Sequence, residues 1–169
     1  PSDTTGKPYV TGRTSGVAET LERQGTRVAG VMLISGGIQI GPVIDEEMRT
    51  ALFIPTRAAA AFHHQKLSAD LQKDLAATLR QAEDWAKTRY APALKRIASL
   101  TEGEREAIVR QLSRFTSLDP ALIDKQTLVV GRQQFAEELL RDQKRVLGRF
   151  DTRVFEGPPP PSDRATTVN

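Results

Sequence analysis

Residues 7–37, KPYVTGRTSGVAETLERQGTRVAGVMLISGG, set the fold class expected of this chain. Tyr9 and Val10 run into Gly12, an amphipathic segment follows with Val17, Ala18 and Leu21 on one face, and Gly25 closes it. Val28, Val31, Met32, Leu33 and Ile34 then form a nearly continuous apolar run, the pattern of a strand buried on both faces. Strand, turn, helix and strand within about thirty residues make a βαβ unit. A parallel pair needs further strands or another covering surface, and beyond Gly41 the periodicity turns helical with no third strand in view.

The chain has 169 residues, enough for one cored domain or for a small domain with a separate helical lobe. Its first residue is Pro1 rather than Met, as expected of a processed product or a piece of a longer chain. No apolar run approaches the roughly 18 residues that span a bilayer, so no membrane partner is expected. The absence of cysteine excludes disulfides, a Cys-based zinc site and a thiol nucleophile, and leaves the compartment open. With 24 basic and 21 acidic side chains the net charge is +3, and the two signs alternate along helical stretches. Aromatics make up only 5% of residues, so no nucleic-acid partner is expected either.

Ser35-Gly36-Gly37 and Gly41-Pro42 read as a connection, because neither GxGxxG nor GxxxxGK accompanies them. Asp45-Glu46-Glu47 places negative charge at a helix start, Pro55 interrupts, and Ala58 to Ala61 suit close helix packing. His63 and His64 point about 100° apart on a helix, unlike a metal-binding i, i+4 pair, and with Lys66 they complement a helix C-terminus. Ser68 is the expected N-cap of the longest helix, carrying Leu71, Leu75, Leu79, Ala82, Ala86 and Tyr90 inward, with Trp85 beside the stripe as core and Pro92 kinking or ending it. Thr101-Glu102-Gly103-Glu104 fits a capping box, and charge complementarity at a helix N-terminus accounts for Glu102, Glu104 and Glu106 without acid–base chemistry. Asp119-Pro120 restarts a short helix, 127–130 are extended, 133–144 form a last helix, and 146–155 are a final extended stretch.

In this order the segments resemble the serine carboxypeptidase-like peptidases of the α/β-hydrolase fold, bacterial type. Lys7-Pro8-Tyr9-Val10 is similar to the strand before the nucleophile, 13–24 to the helix after it, and 28–37 to the next sheet strand. Leu52-Phe53-Ile54-Pro55-Thr56 with 58–67 resembles the entrance to the helical lid, and Phe135 to Asp142 followed by Val146-Leu147-Gly148-Arg149-Phe150-Asp151 resembles its exit. Family chemistry needs Gly-x-Ser-x-Gly on a strained strand-to-helix turn, and here Gly12 passes directly to Arg13. Ser15 has only Gly-x-x-Ser-Gly around it and reads as an ordinary residue near a helix N-terminus. His63 and His64 match lid positions, so the resemblance gives neither a triad role.

The resemblance thus implies a mostly helical α/β chain: a βαβ piece of hydrolase sheet over 1–44, a helical lid over 45–145 and an extended return over 146–157, while composition makes 158–169 a Pro-rich disordered tail. It implies a middle portion of an enzyme that cleaves peptides from their C-terminus through an acyl-enzyme, inactive as this chain, with no catalytic, cofactor or metal residue assigned. A peptide substrate, an exported origin and association with the missing sheet or a second copy are the accompanying expectations. The alternative is a non-catalytic helical protein-interaction module.

Overall fold

The computed structural model of the chain describes residues 9–32 and 44–158. They belong to two units, divided between Val43 and Ile44. Among the described residues the protein is mostly helical, and its one sheet is a two-stranded antiparallel pair.

The first unit contains α1, Tyr9–Arg23. The strand expected at Tyr9 and Val10 is therefore helix, which runs unbroken through Gly12 and Ser15. A strand without a neighbour leaves its backbone groups unpaired, whereas a helix pairs them internally. Local contacts add to this: Glu19 and Arg23 form an i, i+4 ion pair at 2.6 Å, and Thr20 donates to the Gly16 carbonyl at 2.8 Å. Gly25 ends the helix, as its φ of 80° allows, while Thr26 N–H reaches back to the Leu21 carbonyl at 2.9 Å. Val28, Val31 and Met32, expected on a second strand, have no ladder partner among the described residues, and Met32 is 84% exposed. The βαβ unit is thus not formed among the described residues. The rest of that strand, the 35–42 glycine loop and the tail beyond Pro158 lie outside them.

The second unit is built around α3, Phe53–His63, which packs on α4, Leu75–Trp85, and on α6, Glu102–Thr116. Small residues permit the close approach: Ala58, Ala61, Ala82 and Ala86 are all fully buried. Pro55 falls in the first turn of α3, where no intrahelical donor is lost, so it starts the helix rather than breaking it. The short α2, Glu46–Ala51, is capped by Asp45, which accepts from Met48 N–H at 2.8 Å. Asp45 also pairs with Lys95 at 2.6 Å, at the end of α5, Ala91–Lys95.

Ser68 does not cap α4. Asp74 does, accepting from Ala77 N–H at 3.1 Å, while Leu71–Lys73 form a single 3-10 turn. Nor does the helix stop near Pro92. It passes through a π-helical turn, Ala86–Tyr90, closed by Ala91 N–H to the Ala86 carbonyl, and continues as α5. Pro92 has no N–H and crowds the preceding turn, and the wider π turn relieves both problems. It also aligns Trp85 and Tyr90, whose rings stack at 5.1 Å and 7°.

The capping box of α6 forms as its sequence dictates: Thr101 N–H donates to the Glu104 carboxylate at 2.8 Å and Glu104 N–H to the Thr101 hydroxyl at 3.3 Å. Residues 127–130 are not a strand. Leu128 is fully buried in the left-handed region at φ 54°, its carbonyl taken by the Tyr90 hydroxyl at 2.7 Å. The last helix is shorter than expected: α7, Arg132–Glu138, is followed by a separate 3-10 turn, Arg141–Gln143. The expected extended return is a small hairpin, β1 Val146–Leu147 against β2 Phe155–Glu156, with Val146 opposite Glu156.

Candidate functional site

Ser15 and the Gly12-Arg13 join, where the sequence leads us to expect a nucleophile elbow, lie within α1, and no strand precedes them among the described residues. A nucleophile of that type stands on a sharp strand-to-helix turn beside backbone donors, and α1 offers no such turn. The histidines lie at the C-terminal end of α3. His63 ends α3, His64 caps it, and His64 Nε2 lies 2.7 Å from the Thr152 carbonyl. The helix closes through Gln65 at φ 56°, with Gln65 N–H on the Phe62 carbonyl and Lys66 N–H on that of Ala61.

The glutamates of α6 are equally accounted for. Glu104 serves the capping box and Arg96, while Glu102 and Glu106 meet Lys125 at 2.8 and 3.3 Å. Thr101 backbone bonding, then Arg96, holds the Glu104 carboxyl down at about 2, so it stays charged. Among the described residues no group of histidines and carboxylates has metal-binding spacing. Trp85 is half-buried between Tyr90 and Phe115.

What the structure does assemble is a groove of about 870 Å³ between α3, α7 and the hairpin. Helical spacing presents Phe53, Thr56 and Arg57 to it from α3. From α7 come Arg132, Gln133, Phe135, Ala136 and Glu137, and from the hairpin the run Val146 to Thr152. Gly148 is required at the bend: a Cβ there would sit 2.7 Å from the Asp151 carbonyl oxygen. Its N–H donates to the Val154 carbonyl at 2.8 Å, closing the turn that carries Arg149 and Phe150.

Arg57 is the unusual member. It is only 9% exposed, and its guanidinium lies 5.8 Å from the Phe53 ring centre and 5.9 Å from that of Phe135. Burial pulls its pKa down, opposed by Tyr90, yet a guanidinium keeps its proton in a protein. None of the three carboxylates lining the groove pairs with it: Asp151 binds Arg153 at 2.7 Å, Glu137 accepts from Gln133 at 2.8 Å, and Glu156 stands in the exposed strand β2. Sequence reading missed Arg57, although one signal was available. It is the single charge in FIPTRAAAAF, on the same helical face as the buried Ile54, Ala58 and Ala61.

The same region joins the two ends of the helical unit. Lys66 pairs with Asp142 at 2.6 Å, His64 meets Thr152, and Arg57 meets Phe135, so 53–66 and 135–152 lie side by side. No protein-family model, curated protein or solved structure matches the chain.

Proposed function

We propose that this chain is a portion of a serine carboxypeptidase-like hydrolase, with residues 45–145 as its helical lid, 146–157 as the return segment and residues 1–44 as a piece of its core. The observation that carries this reading is the juxtaposition of the two segments resembling the lid's entrance and exit. An inserted lid leaves a sheet and returns to it at neighbouring points, so its first and last segments must meet. Here Lys66 and Asp142 meet at 2.6 Å across 76 positions of sequence. The unit also has its own buried core, including Ile54, Tyr90, Leu112 and Leu140, as a lid carried outside a sheet requires.

On this reading residues 9–10 and 28–32 take up strands only beside neighbouring strands that this chain does not supply, with the helix over 13–23 kept between them. The substrate class is a peptide cleaved at its C-terminus, and the nucleophile and its partners lie outside these residues. Release of the C-terminal amino acid from an N-blocked dipeptide tests it. The protein purified from its source is expected to hydrolyse the dipeptide and to be blocked by a fluorophosphonate, while the 169-residue chain alone does neither. Hydrolysis by the chain alone that disappears in Ser15→Ala contradicts the reading.

One observation favours the second reading, a non-catalytic interaction module. Val17, on the apolar face of α1, is 59% exposed, and Met32 is 84% exposed. Sedimentation separates the two: reversible self-association that is lost on Val17→Lys supports the module, and a monomer at micromolar concentration opposes it. No helix among the described residues is long and apolar enough to cross a membrane.

A further inference from the structure

We infer that the groove between α3, α7 and the hairpin binds a singly charged carboxylate borne on an apolar body, with Arg57 as the counter-charge. Arg57 is nine-tenths buried and lines the groove. Its contacts are the faces of Phe53 and Phe135, and no described carboxylate reaches it. A guanidinium held between apolar rings, open to solvent only through the groove and without a protein counter-charge, favours an anion that enters that groove. The planar fork of guanidinium donors matches a carboxylate in shape as well as in charge.

The rest of the lining narrows the ligand. Asp151 is neutralised by Arg153, and Arg132 and Arg149 are balanced by Glu137 and Glu156, so apart from Arg57 the walls carry no net charge. One negative charge is matched by Arg57 alone, whereas the phosphate dianion leaves its second charge without a counter-charge among the walls. Phe53, Phe135 and Leu147 supply apolar wall, and about 870 Å³ lies within the range of small-ligand pockets. The inference is independent of the hydrolase reading, because it uses only the charge, burial and shape of residues 53–156.

The test is isothermal titration of the full chain and its Arg57→Met variant with 4-phenylbutyrate, 4-phenylbutyramide and inorganic phosphate. The carboxylate is expected to bind saturably to the native chain, at least about tenfold more weakly to Arg57→Met, and the amide and phosphate not to saturate. Methionine replaces the buried length without the charge, so the variant's melting temperature is expected to hold or rise. Equal binding of the carboxylate by both proteins, saturation by the amide or phosphate, or no saturable binding of any probe overturns the inference. So does a lower melting temperature of Arg57→Met, which would mean that the fold itself compensates the guanidinium.

Discussion

The Tyr90 hydroxyl donates to the Leu128 carbonyl at 2.7 Å, and neither residue has exposed surface. This bond ties the π turn before α5 to a loop whose leucine sits at φ 54°, a conformation that surrounding structure must enforce. Tyr90→Phe leaves the buried carbonyl without its donor and is expected to destabilise the helical unit by about 1–3 kcal/mol, read from the urea midpoint. An unchanged midpoint would mean that the bond does not hold the loop.

Alkaline pH tests the same tyrosine. Burial pushes its pKa up to about 12, against a reference of 10.0 that applies when it unfolds. Its protonated form is therefore favoured in the fold, so its contribution is complete below pH 10 and is lost as pH rises toward 12. The loss amounts to at most about 3 kcal/mol. Between these limits the native chain should lose stability more steeply than Tyr90→Phe.

The cap of α6 responds to acid instead. Glu104 titrates at about 2 in the fold against 4.5 as reference, so its contribution is present above pH 4.5 and disappears as pH falls toward 2. Glu104→Gln should flatten the stability curve over that window. Thr101→Ala, which removes the other half of the box, is expected to lower stability by about 1 kcal/mol at neutral pH.

Gly148→Ala places a methyl group against the Asp151 carbonyl oxygen, at a distance of 2.7 Å that no relaxed contact shows. Destabilisation of about 1–3 kcal/mol is expected, together with faster exchange of the Gly148 amide as its bond to Val154 opens. Retained amide protection would mean that the hairpin tolerates a side chain at this bend.

Legibility in the sequence followed how local the cause was. The α6 capping box and the Gly25 stop need only neighbouring residues, and both stand in the structure as their chemistry dictates. Asp74 and Ser68 are equally good caps by type, so residue identity alone did not show that Leu71–Lys73 would form a separate 3-10 turn and leave the cap to Asp74. Pro92 signalled a disturbance without revealing that a π turn would absorb it. Residues 28–32 have strand composition, but a strand exists only with a partner, and no local pattern supplies one. The groove is built by residues more than seventy positions apart, so only Arg57, a charge on an apolar face, pointed toward it.

The claim that this chain is part of a serine carboxypeptidase-like hydrolase is tested most directly by intact mass spectrometry of the protein from its source after fluorophosphonate treatment. A mass above 18.6 kDa, with the label mapped to a serine outside residues 1–169, is the predicted result. An unlabelled protein of 18.6 kDa, or a label on Ser15, would contradict it.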